Sequence, residues 1–381
     1  GSEMCIRDSL TYLFIAIYTA TVIGIILVVI LGNRNPLKTI PWVVVLIFAP
    51  VVGLVFYFFF GQDLRRKRII SRRTYKRLMV YALPAHVRRS DAPVPAACQS
   101  LSTLLTNTSQ AVSFYGSRLT HYGDGASKMT ALLEEIEKAR DHIHILYYIF
   151  CDDETGARLQ QALIRKAKEG VKVRVLYDDV GCNGVKKEFF QQMRDAGAEV
   201  HALLHVRFPM LTDRVNYRNH RKIAVIDGRV GFTGGVNLAD EYINHIEKYG
   251  RWKDAAVMLE GEAVRPLTIL FLEMWSILRE PEFEKFLSVP PHSVPAKGFA
   301  APYGDCPLDG ERVGEMVYID LLNRAKRYIH IMTPYLILDG ELETALKFAA
   351  ERGVDVHLIL PHVPDKLSLI HISEPTRPLY I

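Results

Sequence analysis

The chain has 381 residues, 49% of them hydrophobic, and a formal net charge of +5. That length implies two or three domains. The positive excess sits largely in one segment, so it does not argue for nucleic acid. Five scattered cysteines, none in a C-x-x-C pair, speak against a disulfide frame or a cysteine zinc site.

Two uncharged apolar runs come first, Leu10–Leu31 and Ile40–Phe60. A bilayer-spanning helix needs about 20 apolar residues, and both runs reach that length. The short GNRNPLKT between them makes a transmembrane hairpin the expectation. A signal peptide has a shorter run and no second span. Past the second run come Arg65, Arg66, Lys67, Arg68, Arg72, Arg73, Lys76 and Arg77. Basic residues at a span end stay cytoplasmic, so the C-terminal part is expected in the cytoplasm beneath the cell membrane. The same run suits anionic headgroups, at about 1 kcal/mol per residue. The expected domains begin with a hairpin at 1–62 and a basic juxtamembrane segment and linker at 63–110.

From there helix and strand alternate. Met129, Leu132, Leu133, Ile136 and Ala139 recur at helical spacing. HIHILYYIF (142–150) reads as a strand, 156–169 as a helix ended by Gly170, and VKVRVLYDD (171–179) as a second strand. A helix at 186–196 and the strand AEVHALL follow. The pattern predicts an α/β fold with a largely parallel sheet. The chain then repeats itself. KARDHIHI (138–145) returns as RAKRYIHI (324–331), and KEGVKVRVLYDDVG (168–181) returns as ERGVDVHLILPHVP (351–364). Two matches in one order at nearly one offset imply internal duplication. A first lobe is expected at 111–290 and a partial second lobe at 291–381.

NHRKIAVIDG, 219–228, is the most informative stretch. Side chains alternate along a strand, so His220 and Lys222 share a face. Asp227-Gly228 is a two-residue hairpin signal, with VGFTGG as the return strand. Asp227 then lies at the opposite strand end, as a turn residue or as part of a site. A histidine beside a lysine suits phosphate chemistry. Neutral imidazole attacks phosphorus, and the ammonium offsets charge developing on the oxygens. The glycines of FTGGVN permit close backbone approach, and Asn237 offers an amide donor. Glu241 and Asp254 are weaker candidates. His142, His144 and His330 read as structural, and Tyr147, Tyr148 and Tyr335 as pocket wall or core.

H-x-K-x4-D followed by G-G-x-N resembles the HKD motif of the phospholipase D superfamily. YYIFCDDETG, YRNHRKIAVIDG, GFTGGVNLADEY and RWKDAAVMLEG, behind two apolar runs, resemble bacterial cardiolipin synthase. TPYLILD (333–339) resembles the opening of that family's second half. The resemblance implies a phosphatidyltransferase of the bacterial inner membrane that makes cardiolipin and glycerol from two phosphatidylglycerols through a phosphohistidine. It implies His220 as nucleophile or its acid/base partner, Lys222 and Asn237 on phosphate, and Asp227 as electrostatic support. It implies no cofactor or metal, a phospholipid substrate and no nucleic-acid partner. A membrane-anchored hydrolase or nuclease of the same superfamily is the rival reading, and a non-catalytic scaffold a third.

One departure matters. The repeat offset carries His220 beyond Ile381, and no second H-x-K-x4-D occurs; His371 precedes Ile372 and Ser373. MCIRDS and LSLIHISEPTRPLYI read as foreign to such a chain, which implies a fragment stopping inside the second lobe. A single-motif chain would need a homo-oligomer pairing two copies. Alone it is expected to be inactive or nearly so.

Overall fold

The computed structural model describes residues 2–31, 36–49, 52–53, 56–57, 93–205, 218–248, 250–287, 294–305 and 311–361. The basic run from Arg65 to Arg77, most of the linker, part of the second apolar run and everything past Pro361 lie outside these residues. Two units result. The smaller holds helices α1 (Ser2–Leu31) and α2 (Pro36–Phe48), which pack on each other. The run Leu10–Leu31 lies in α1, while α2 takes in only the first part of Ile40–Phe60. Among the described residues, no helix is long and apolar enough to cross a membrane.

The larger unit contains α3 (Gln99–Ser109), β1 (Phe114–Tyr115), β2 (Arg118–Tyr122), α4 (Gly125–Glu137) and β3 (His142–Tyr147). It continues with α5 (Glu154–Lys168), β4 (Lys172–Asp178), α6 (Lys187–Asp195), β5 (Glu199–Leu203), β6 (Ile223–Ile226), β7 (Val230–Gly234) and β8 (Ala256–Glu260). After these come α7 (Val264–Trp275), α8 (Phe283–Leu287), β9 (Phe299–Ala300), α9 (Val313–Arg324), β10 (Tyr328–Met332), α10 (Gly340–Glu351) and β11 (Asp355–Ile359). Seven strands form the central sheet in the order β2-β8-β7-β6-β3-β4-β5.

The sheet is mixed, which corrects the expectation of a largely parallel one. Only β3-β4 and β4-β5 pair in parallel; β6, β7, β8 and β2 extend it antiparallel. The cause is local. Asp227 and Gly228 both take positive φ, 53° and 59°, the geometry of a tight hairpin. That turn sends β7 straight back along β6.

Period-two alternation sorts the strand residues between two cores. Ile143, Ile145, Val173, Val175, Ala224 and Ile226 face α4, α5 and α6. Leu146, Leu176, Ile223 and Val225 face α7 and α8 through Phe271, Trp275 and Phe286. Strands covered on both faces read as near-continuous apolar runs, as ILYYIF, the later part of β3 and its continuation, does.

The internal repeat has a structural counterpart. β3-α5-β4 and β10-α10-β11 are both parallel β-α-β units. His144 pairs with Arg174 in the first, and His330 with His357 in the second. Both helices are capped by an aspartate: Asp153 accepts the Gly156 N–H at 2.9 Å, and Asp339 accepts that of Leu342 at 3.1 Å. Each ends on a positive-φ glycine, Gly170 and Gly353.

Candidate active site

His220 and Lys222 lie just ahead of β6. Alternation holds there: Arg221 turns to Glu273 of α7 at 3.4 Å, while His220 and Lys222 turn the other way. The Lys222 Nζ donates to the His220 carbonyl at 2.8 Å and lies 3.0 Å from the ring Nδ1 and 3.3 Å from Nε2. The imidazole is exposed, whereas Lys222 is only 4% exposed. Tyr148, just past β3, walls the pair. Its ring centroid is 4.7 Å from that of His220 and 5.6 Å from Lys222 Nζ.

Burial lowers the Lys222 amine to about 8, and the Asp254 carboxylate pulls it back upward. Asp254 is therefore part of the site's electrostatics. It accepts from Trp252 Nε1 at 3.3 Å and abuts Gly235, where a Cβ would stand 2.0 Å from its Oδ1. A side chain at the second glycine of FTGGVN would displace that carboxylate. Asn237, 2% exposed, accepts the Ile149 N–H at 3.2 Å and shares a hydrogen bond with the Tyr242 hydroxyl. It ties the end of β7 to the segment after Tyr148.

Asp227 is not brought to His220. It stands past the far end of β6, accepting the backbone N–H groups of Arg140, Asp141 and His142 at 2.9 Å each. Glu241 pairs with Lys248 at 2.8 Å. His142 and His144 are buried between β3 and α7–α8, while His330 is exposed. Tyr147 is core, its hydroxyl accepting from Lys128 Nζ at 2.7 Å.

Three residues escaped the sequence reading. Asp178 and Arg218 form a buried ion pair at 2.7 Å next to the site; a charge at the end of an apolar strand was the signal. Lys128 is 1% exposed. It falls on one helical stripe with Leu132 and Ile136, so its spacing marked it as buried. Burial lowers its amine to about 7, against the upward pull of Asp254. Among the described residues, metal-ligating side chains gather at His330, Asp355 and His357, and at Glu315, Asp339 and Glu341. Neither group includes a residue of the His220 site.

The arrangement offers an exposed imidazole, an adjoining amine and a carboxylate that favours the charged form of that amine, which suits nucleophilic attack on a phosphodiester. The family described as "Cardiolipin synthase, PLD-like domain" matches residues 132–275 and 318–376. The chain belongs to the cardiolipin synthase family of the phospholipase D superfamily. A second match, "Phospholipase_D-nuclease N-terminal", covers residues 19–62. A cardiolipin synthase of Geobacillus kaustophilus is 35% identical over 366 residues, 95% of this chain and 73% of that protein. An uncharacterized protein of Streptococcus mutans is 38% identical over 349 residues, 90% and 76% respectively. A solved phosphatidylserine synthase of Haemophilus influenzae shares the fold, with a TM-score of 0.50 at 16% identity, over 69% of this chain and 66% of that one. In this cardiolipin synthase family member, the family match includes His220, Lys222, Asp227, Asn237 and Asp254.

Proposed function

We propose that this chain transfers phosphatidyl groups between phosphatidylglycerols, with His220 and Lys222 as one half of the catalytic apparatus. The observation that carries the reading is Lys222 Nζ 3.0 Å from Nδ1 of an exposed His220. The relatives named cardiolipin synthase support the substrate and product. Neutral imidazole attacks the phosphorus of one phosphatidylglycerol, and the bond to its terminal glycerol breaks. A second imidazole protonates the leaving alkoxide, then takes the proton from the acceptor hydroxyl of another phosphatidylglycerol. That oxygen displaces the histidine and cardiolipin forms. Lys222 neutralises charge on the non-bridging oxygens. Asn237 supports the phosphate side through the backbone it holds, and Asp227 braces the far end of the strand.

The apolar sequence of Leu10–Leu31 and Ile40–Phe60 and the family match over 19–62 support a membrane hairpin at 1–62. The basic segment within 63–110 favours a cytoplasmic catalytic part. The repeated β-α-β unit supports a first lobe at 111–290 and a related one from 291. Two copies in a homo-oligomer would bring two histidines to one phosphate.

The chain in phosphatidylglycerol vesicles, with products read by mass spectrometry, tests the proposal. Expected are an acid-labile phosphatidyl adduct on His220, absent in His220→Ala, and slow cardiolipin formation that steepens with protein concentration. Phosphatidic acid as the product would favour the hydrolase reading. Because the single-motif chain is expected to be inactive or nearly so by itself, lack of product alone is no refutation; lack of the His220 adduct from a folded chain overturns both.

A further inference from the structure

Asp178 ends β4 at 1% exposure, and the Arg218 side chain is 8% exposed. The guanidinium donates through Nε to Oδ1 and Oδ2 at 3.0 and 3.1 Å, and through Nη2 to Oδ1 at 2.7 Å. Its remaining reach goes to the carbonyls of Leu204 at 2.8 Å and Leu203 at 3.4 Å. One side chain, two residues before His220, is therefore locked to the ends of β4 and β5.

The carboxylate has a second grip. Asp178 Oδ1 also accepts the N–H groups of Val180 and Gly181 at 3.0 and 3.1 Å. The Gly181 backbone lies so close to Tyr148 that a Cβ there would fall 2.1 Å from the Tyr148 carbonyl oxygen. Cys182 Sγ points at that same oxygen, 3.6 Å away. Tyr148 in turn lays its ring against His220. Asp178 thus reaches the imidazole by two routes, along the backbone from Arg218 and through Gly181 to the Tyr148 ring.

We propose that the buried Asp178–Arg218 ion pair is the positioning clamp of the His220 imidazole, setting both the backbone that carries it and the ring it rests on. Stability alone does not call for such a pair. Desolvation offsets much of the attraction, and apolar replacements are often as stable. A planar fork bound at three points does fix orientation. The catalytic meaning of the clamp rests on the reading of His220 as the reacting group, so the deciding measurement avoids turnover.

The measurement is histidine-labelled NMR of the full chain in detergent micelles. The His220 ring resonances, assigned by their loss in His220→Ala, are expected to carry a ring-current displacement that collapses in Tyr148→Leu. Arg218→Lys keeps the charge and loses the fork; it should abolish most of that displacement while the far-UV circular dichroism stays native. Gly181→Ala leaves the ion pair intact and should abolish it too, by pushing Tyr148 aside. Where turnover is followed, kcat should fall about 100-fold at nearly constant KM, as for a reacting group misplaced by about 1 Å. A folded Arg218→Lys that keeps the displacement overturns the clamp. Should Arg218→Lys fail to fold, an unchanged displacement in Gly181→Ala overturns it instead. Loss of the displacement in chains whose parent never forms the histidine adduct would leave the clamp standing and sink the functional reading.

Discussion

Asp227 and His142 bind each other in both directions. The Asp227 carboxylate accepts the His142 N–H at 2.9 Å, and the Asp227 N–H donates to the His142 carbonyl at the same distance. The β6–β7 turn is thereby stapled to the start of β3, at the end of β6 remote from His220. Removing the carboxylate strips partners from three backbone donors. Asp227→Ala is expected to cost about 3 kcal/mol of stability, the scale of hydrogen bonds to a charged group. It should leave the His220 ring resonances in place. Chemical denaturation checks the first part and NMR the second; an unaltered unfolding midpoint would remove the bracing role.

Lys222 sets an upper pH limit on the reaction. Its amine is lowered to about 8, so its charge is lost above that pH. Phosphatidyl transfer, or adduct formation at His220, should decline as pH rises through about 8. Moving Asp254 away removes the upward pull, so Asp254→Asn should shift the decline to lower pH. A flat profile between about pH 7 and pH 9.5 would show that the ammonium is not needed.

Lys128 links burial to stability. In the fold its amine titrates at about 7, well below its ordinary value. Between that pH and about 10.4 the unfolded chain holds a proton that the folded chain has released. Stability therefore rises with pH across this window, by up to about 1.4 kcal/mol per pH unit. Lys128→Met should flatten the slope, read as urea midpoints at about pH 7 and pH 9. An unchanged slope would mean that the amine is better solvated than its surroundings imply.

His144 acts in the same direction at lower pH. It is fully buried, stacked on Phe271 at 4.3 Å between ring centroids. Burial, with His142, Arg174 and Lys172 nearby, holds its pKa well below the usual value. The unfolded chain takes up a proton near pH 6.5 and the folded chain does not, so stability falls as the medium is acidified below that point. His144→Leu should weaken this acid sensitivity, seen as a smaller drop in melting temperature between about pH 7 and pH 5. His142 and His201, also lowered by burial, contribute to what remains.

Much of the fold was legible. β3, α5, β4, α6 and β5 fall close to the predicted stretches because each is a strongly periodic segment with local end signals, such as Asp153 ahead of α5 and Gly170 after it. The partnership of His220 and Lys222 was legible from alternation alone, because two residues apart on extended backbone is a local relation. Sheet direction was not. Whether β6 runs with or against β3 depends on which strand the hairpin joins, a non-local choice.

The sequence by itself determined the family, the hairpin turn at Asp227-Gly228, the repeat and the pairing of imidazole with amine. Each is written in residues near one another along the chain, where spacing sets geometry. Tertiary structure alone decided that Asp227 braces a strand end, that Asp254 holds the charge of Lys222, and that Asp178 clamps Arg218. Those contacts join residues dozens of positions apart, and their strength comes from burial, which only the packed sheet and its helices supply.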